Sequence, residues 1–204
     1  MEIIHYLNTK EHTLTGHGQL GGIFDPPIEY LFDSANSIDK IGTWQKFDQR
    51  YSSLSMSRTS SGDLLFKNTT RDTSYCYSQA RNKTPIKIKS YNYVYIQCVK
   101  SVFSTSADQK GVPNRVAIYA NPDMSNDSYT DKYYGSPTDA GFYNGTLVSG
   151  TRKDFTGTQE NFLIELNISA YTSPSNTFRI MFTLAPSNSF MQISKIYLSK
   201  YKLT

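Results

Sequence analysis

The chain has 204 residues, enough for one sizeable domain with a short appendage or for two small domains, and one domain of this length can bury a core without disulfides or metals. Hydrophobic residues make up only 38% but aromatic residues 14%, and helix-favouring stretches are scarce, so the composition favours strands. The net charge of +4 comes from scattered lysines and arginines, and the longest apolar runs are far shorter than the about 18 residues of a membrane span, so neither a nucleic-acid partner nor membrane insertion is expected.

The first thirty residues differ from the rest of the chain. They contain all three histidines, four of the twelve glycines and the adjacent Pro26 and Pro27, and their apolar residues do not alternate. We expect residues 1–30 to form an arm that orders against a partner or a neighbouring subunit, and residues 31–204 to form the folded domain. The arm contains GxGxxG at residues 16–21, but the two prolines prevent the helix that must follow it in a dinucleotide site.

Alternation of apolar and polar residues with period two predicts strands along the remaining chain. The clearest example is residues 93–103, where Val94, Ile96 and Cys98 share one face. The same reasoning predicts strands at residues 64–67, 75–77, 86–89, 93–103, 115–121, 161–168, 177–184 and 190–203. Since convincing helical segments of ten residues are missing, about eight strands predict an all-β fold, an antiparallel jelly-roll β-sandwich.

The last predicted strand carries Lys195, Lys200 and Lys202 between its apolar positions. Charged residues of this kind discourage edge-to-edge pairing of sheets. The pattern therefore predicts a terminal strand whose lysines stay in water and which resists unwanted edge pairing.

The two cysteines and the single tryptophan are predicted to lie in the core. Cys76 and Cys98 are flanked by apolar, strand-like sequence, so two buried free thiols are the preferred interpretation and one disulfide is the alternative. Trp44 is either a core anchor or a binding platform, and its neighbours Ile41 and Phe47 favour the core.

Catalytic and metal-binding patterns are weak throughout. Nucleophile and metalloprotease motifs are missing, and the histidines lie in the arm, so an enzyme is not expected. The alternative is a glycoside hydrolase with a pair of catalytic carboxylates. The candidates for that pair are Asp123, Asp127, Asp131, Asp139, Asp154, Glu160 and Glu165. His5, His12 and His17 match no compact ligand spacing. No cofactor is expected, and a loose structural calcium site within residues 121–131 stays open.

The most distinctive candidate site is the stretch of residues 121–145 between two predicted strands. Loops this long inside a compact domain tend to be functional, and tyrosine rings interleaved with acids and amides suit the faces and hydroxyls of sugars. The predicted carbohydrate-binding residues are Tyr129, Asp131, Tyr133, Tyr134, Asp139, Tyr143 and Asn144. The alternative is a lid, in which Tyr134 and Phe142 fold inward over the end of the sandwich.

The succession LIELNISAY, TFRIMFTL and ISKIYLSKY near the end of the chain resembles the galactose-binding-like or carbohydrate-binding-module β-sandwiches of bacteriophage tail, baseplate and capsid-decorating proteins. Residues 167–169, 178–184 and 193–198 hold the corresponding places, and the resemblance extends over most of the chain from residue 31. It implies a fold more than a function, because sugar-binding residues vary widely in such domains.

The resemblance implies a non-enzymatic phage structural protein that adheres to host-surface carbohydrate. It also implies that the arm docks on other virion proteins and that the assembled form is a homo-oligomer, such as a trimer. The start of the chain lacks the pattern of a secretory signal, which agrees with a virion protein assembled in the host cytoplasm. The alternatives are a purely architectural virion protein that binds no glycan and, less favoured, a polysaccharide hydrolase.

Overall fold

The computed structural model describes residues 27–46, 54–68, 78–83, 85–87, 90–103, 113–120, 146–148, 150–171, 177–184 and 188–203. These residues form fourteen strands and no helix. The strands are β1 (Ile28–Asp33), β2 (Ile38–Asp39), β3 (Trp44–Lys46), β4 (Leu54–Arg58), β5 (Leu64–Asn68), β6 (Ser78–Asn82), β7 (Ile86–Lys87), β8 (Tyr93–Val102), β9 (Asn114–Ala120), β10 (Thr146–Leu147), β11 (Lys153–Phe155), β12 (Thr158–Asn167), β13 (Thr177–Leu184) and β14 (Phe190–Ser199). None of the described residues forms a helix that could cross a bilayer.

The first sheet is antiparallel and is organised around β14. This ten-residue strand pairs with β8 on one side, and on the other side its first half pairs with β5 and its second half with β1. The edges are then extended by β12 on β8, by β2 on β1 and by β4 on β5. The predicted terminal strand is therefore a central strand with partners on both sides. Lys195 lies on its outward side, while Lys200 and Lys202 follow the strand. The central position was not predicted, because alternation reports on faces and not on neighbours.

The second sheet is also antiparallel and has β13 at its centre. Strand β9 pairs with one side of β13, while β6 and β7 pair with the other. The sheet continues with β3 on β6 and with β10 and β11 on β9. From Phe178 to Leu184 every residue of β13 is buried, on both sides of the strand, as is typical of a central strand.

The core fills the space between the two sheets. Val94 and Ile96 from the first sheet and Ile180 and Phe182 from the second are each completely buried. The ring of Phe66 on β5 stacks on the ring of Phe182 on β13, with centroids 4.7 Å apart, so the aromatic contact crosses from one sheet to the other. The predicted all-β, antiparallel sandwich is confirmed.

The strands with clear alternation in the sequence analysis are confirmed, and the strands that it did not reveal are β1, β2, β3, β4, β6, β10 and β11. Nine of the strands in the described residues have five or more residues, close to the predicted eight. Of these missed strands, β2, β3, β10 and β11 have only two or three residues, too few to show a period, whereas β1, β4 and β6 have five or six. Residues 75–77 lie outside the described residues, and β1 begins at Ile28, three residues before the expected domain start.

Candidate functional site

The predicted binding loop lies outside the described residues, and so do the candidate calcium segment and the three histidines. The carbohydrate-binding roles of Tyr129, Asp131, Tyr133, Tyr134, Asp139, Tyr143 and Asn144 therefore stay predictions. The part of the chain that the structure describes offers two other surfaces with the chemistry of a binding site.

The first surface is a pocket of about 250 Å³ between the two sheets, which we call the Trp44 pocket. It opens where β3 of the second sheet approaches the β4–β5 hairpin of the first sheet. Its wall is mostly apolar, and its lining residues are Gly42, Thr43, Trp44, Met56, Ser57, Arg58, Leu64, Leu65 and Phe66.

Trp44 is both a core residue and a wall of this pocket. Its ring lies edge-on to Phe66, with centroids 5.0 Å apart, and also contacts Phe182 at 5.4 Å. The side chain is half-buried, and its indole Nε1 is buried without a hydrogen-bond partner. Trp44 therefore combines the two roles that the sequence left open. One side of its ring packs on core aromatic residues, and the other side lines the pocket.

Arg58 is held rigidly at the mouth of the pocket. Its Nη1 donates to the carbonyl oxygen of Gly62 at 3.1 Å, and its Nη2 donates to the Asp39 carboxylate. The guanidinium carbon lies 4.5 Å from the centre of the buried Phe32 ring, in a cation–π contact. A guanidinium fixed on three sides loses little conformational entropy when it binds a ligand.

The Arg58–Asp39 ion pair keeps unused hydrogen-bonding capacity. A guanidinium has about five N–H donors, and Arg58 uses two of them. Oxygen Oδ1 of Asp39 accepts from the backbone N–H of Gly42 at 3.0 Å, and Oδ2 accepts from Arg58, so each oxygen keeps acceptor capacity. Donors and acceptors therefore lie side by side at the pocket mouth.

The second surface is the side of the first sheet that faces away from the core, which we call the outer tyrosine face; Tyr95 and Tyr197 on it are buried within the chain. The outward side chains of four neighbouring strands align here in one row across the sheet: Tyr30, Tyr197, Tyr95 and Glu165. The rings of Tyr30 and Tyr197 lie 5.4 Å apart, and those of Tyr197 and Tyr95 stack at the same distance. The next outward row adds Lys195 and Leu163.

The residues that follow β14 lie against the outer tyrosine face. The Tyr95 hydroxyl donates to Glu165 Oε2 at 3.0 Å and accepts from the backbone N–H of Leu203 at 2.8 Å. Burial raises the pKa of Tyr95, with Glu165 adding to the effect, and burial raises the pKa of Tyr197 to about 12. Both hydroxyls therefore stay protonated at neutral pH.

The described carboxylates serve as structural hydrogen-bond acceptors. Burial by itself would raise the pKa of Asp154, but hydrogen bonds from Arg115 and Arg152 lower it below 3.8. Glu160 and Glu165 pair with lysines, with Lys100 Nζ 2.6 Å from Glu160 Oε1. Among the residues described, no group of three potential metal ligands comes together.

Cys98 is a free thiol in the core, as the sequence predicted. It is fully buried, and burial raises its pKa to about 12. A thiol with so high a pKa is a poor nucleophile, so Cys98 acts as a small apolar residue.

No protein-family model matches the chain, and a comparison with curated proteins finds no match. Among solved structures, the chain is similar to a family 29 carbohydrate-binding module from Piromyces equi, with 11% identity over 85% of this chain and 90% of that one and a TM-score of 0.35. It is also similar to the C-terminal family 22 carbohydrate-binding module of Clostridium thermocellum Xyn10B, with 13% identity over 85% and 95% of the chains and a TM-score of 0.40.

A third similar structure is the carbohydrate recognition domain of Emp46p, with 11% identity over 85% of this chain and 97% of that one and a TM-score of 0.43. Carbohydrate-binding modules and lectins thus stand among the structures that this sandwich resembles. Similarity at TM-scores this low says nothing about the ligand or the binding site of this chain.

The sequence indicated Trp44 but gave no sign of its polar partners. Asp39 and Arg58 are nineteen residues apart and belong to strands that were not predicted. The signal that could have found them is the loop between β4 and β5, since Gly62 in SRTSSGD is typical of a tight turn that would bring Arg58 back to the edge of the sandwich.

Proposed function

We propose that the protein is a non-enzymatic carbohydrate-binding domain and that the Trp44 pocket holds one sugar ring. The observation that carries this proposal is the combination of a half-buried tryptophan wall with a fixed Arg58–Asp39 pair at the pocket mouth. The pocket is smaller than the about 300–1,000 Å³ of sites for drug-sized ligands, so a single ring is the appropriate size.

The chemistry of the pocket complements both sides of a sugar. The apolar CH face of a pyranose packs on flat or aliphatic surfaces, which Trp44, Met56 and Phe66 supply. Neighbouring hydroxyl groups each donate and accept a hydrogen bond, and the Arg58–Asp39 pair offers donors beside acceptors. Ser57 and Thr43 add further polar atoms to the lining.

Charge balance favours a neutral sugar over an acidic one. The single cation of the pocket lining, Arg58, is already paired with Asp39. A carboxylate or sulfate on the ligand would have to compete with Asp39 for the guanidinium, whereas hydroxyl groups can bind both partners together.

A binding role without catalysis agrees with the state of the described carboxylates. A general acid needs a pKa raised towards neutrality. Asp33, Asp63 and Asp154 shift in the opposite direction, because their hydrogen-bond donors and cations outweigh burial. These three groups are ionised at neutral pH and are engaged in structural contacts.

The biological setting that we propose is a bacteriophage virion, in a tail, baseplate or capsid-decorating position. In this proposal the arm, residues 1–30, attaches the domain to other virion proteins, and the domain binds host-surface glycan. The support for this setting is the sequence resemblance of the closing strands and the composition of the arm. The tyrosines of residues 121–145 would add contacts to the same glycan.

The test is glycan-array screening of the full chain, followed by calorimetry with the best neutral oligosaccharide. Arg58→Gln removes a charge-assisted donor pair, so we expect the affinity to fall by about 10-fold or more. Lys67→Gln removes the same charge from an exposed position on β5 outside the pocket lining and should leave affinity unchanged. A folded Arg58→Gln variant with the affinity of the parent protein would exclude this pocket.

The tyrosines of residues 121–145 are tested separately in the same binding experiment. Alanine at Tyr133, Tyr134 and Tyr143 should weaken binding if the loop adds stacking contacts. Unchanged affinity in that variant would remove the loop from the proposed site, and a chain that binds no glycan at all would overturn the function.

A further inference from the structure

The Trp44 pocket becomes less polar from its mouth to its buried end. The side chain of Arg58, at the mouth, is 40% exposed and has N–H donors to spare. Phe66 and Leu64, which we call the floor, also line the pocket, but they are only 1% and 6% exposed and belong to the hydrophobic core. A ligand group that reaches the floor therefore leaves water and meets hydrocarbon.

The walls between the mouth and the floor are apolar as well. Trp44 and Met56 are partly buried and pack against the core. Met56 and Arg58 of β4 pair directly with the floor residues of β5, so all four side chains point inward, and Arg58 is the polar one among them. The indole Nε1 of Trp44 is buried, so it offers no hydrogen bond to a group inside the pocket.

The position of the walls decides how a sugar ring can enter. Trp44 belongs to β3 of the second sheet and Met56 to β4 of the first, and the pocket lies between them. A ring that packs its CH face on Trp44 must therefore enter edge first. The edge that leads reaches the floor, and the opposite edge stays beside Arg58 at the mouth.

We propose that the sugar held by the Trp44 pocket carries a methyl group and that this methyl group lies on the floor. The inference rests on the proposed glycan binding and names the class of sugar. Two kinds of neutral sugar supply such a group: a 6-deoxyhexose, through its terminal carbon, and an N-acetylated amino sugar, through its acetamido substituent. Both keep other ring hydroxyls available for the Arg58–Asp39 pair.

An unmodified hexose fits this arrangement less well. It carries a hydroxyl or hydroxymethyl group on almost every ring carbon, so the edge that enters first brings a hydroxyl towards the floor. A hydroxyl that is buried without a hydrogen-bond partner loses its contacts with water and gains none in return. A methyl group at the same place is stabilised by its removal from water.

The test compares matched pairs of free sugars in NMR titrations of the full chain. The pairs are L-fucose with L-galactose, L-rhamnose with L-mannose, and N-acetylglucosamine with glucose. We expect the methyl-bearing member of at least one pair to bind about 10-fold more tightly than its hydroxyl counterpart. A preference within the first two pairs assigns a 6-deoxyhexose, and a preference within the third assigns the acetamido group.

The wall residue Met56 provides the variant that links this preference to the pocket. Met56→Gln places an amide of similar length beside the floor, where a hydroxyl would then find a hydrogen-bond partner. We expect the preference for the methyl-bearing sugar to fall to about 3-fold or less. Leu163→Gln makes the same chemical change at a 43% exposed position on β12, outside the pocket lining, and should leave the preference unchanged.

The readout is a ratio of two affinities measured on one variant, so a partial loss of folded protein does not alter it. Equal affinities within all three pairs would overturn the inference and leave the proposed glycan binding in place, and a preference that Met56→Gln leaves unchanged would do the same. A chain that binds none of these sugars and no glycan on the array would overturn the proposed function and this inference with it.

Discussion

At the scale of single residues, Asp63 shows how a buried charge can organise a fold. It is 5% exposed and accepts hydrogen bonds from three side-chain groups: the Ser34 hydroxyl at 2.6 Å, the Ser61 hydroxyl at 2.9 Å and the Gln192 amide at 2.7 Å. These donors come from the turn after β1, the β4–β5 loop and β14. One carboxylate thereby ties together the segments that support the Trp44 pocket.

The prediction at this scale concerns acid stability. Burial by itself would raise the pKa of Asp63, but the hydrogen bonds from Ser34, Gln192 and Ser61 lower it below its usual 3.8. The stability that this group contributes is therefore fully present above the unfolded-state pKa and is lost as the pH falls through the lower folded-state value. Asp33 and Asp154 shift in the same direction.

We expect the urea midpoint of the full chain to stay level from pH 7 to about 5 and to drop below about pH 4. In Asp63→Asn the midpoint at pH 7 should fall, since an amide cannot accept from three donors, and the loss on acidification should be smaller. Equal acid sensitivity of Asp63→Asn and the parent chain would show that the hydrogen-bond network does not hold the charge.

At the scale of elements, the β4–β5 hairpin positions Arg58. The loop closes with the backbone N–H of Thr59 donating to the carbonyl of Asp63 at 3.0 Å and the N–H of Gly62 donating to the carbonyl of Thr59 at 2.9 Å. Gly62 has a φ of 85°, in the left-handed region that side chains disfavour, and its carbonyl accepts from Arg58. The pocket mouth therefore depends on the conformation of this loop.

Gly62→Ala should destabilise the protein by about 1–2 kcal/mol because of the left-handed backbone. The added methyl group would meet only ordinary contacts, 3.6 Å from the Ser34 carbonyl oxygen and 3.7 Å from its Cβ, so the conformation and not a clash sets the cost. Ser60→Ala in the same loop, which lies outside the positive-φ residues, is the control and should change stability little. Urea denaturation of both variants measures the difference, and equal stabilities would mean that the loop tolerates the strain.

The same scale shows what the sequence could and could not reveal. Strands β8, β12, β13 and β14 were predicted because eight to ten residues of alternation report directly on a buried face. The central position of β14 in its sheet was not predicted, because strand pairing depends on residues that are far apart in the chain, such as Tyr30 and Tyr197. The Arg58–Asp39 pair was missed for the same reason, since neither residue carries a local motif and only the fold brings them together.

At the scale of the whole molecule, the proposed glycan site depends on how the two sheets pack. The Trp44 pocket is lined by β3 of the second sheet and by β4 and β5 of the first. Several copies of such a domain on the proposed particle can exceed the affinity of one copy by about 100-fold or more when they bind the same polymer. Weak binding of a single sugar ring would then suffice for adhesion to a repetitive surface polymer.

The central claim is that Trp44 contacts the glycan, and the chain's single tryptophan makes it directly measurable. A full chain labelled with ¹⁵N has one indole N–H signal, from Trp44, which can be followed during titration with the oligosaccharide selected on the array. The account predicts a saturable shift of that signal, together with the amides of Gly42 and Arg58, at the affinity found by calorimetry. Glycan binding that leaves the indole signal and these amides in place would contradict it.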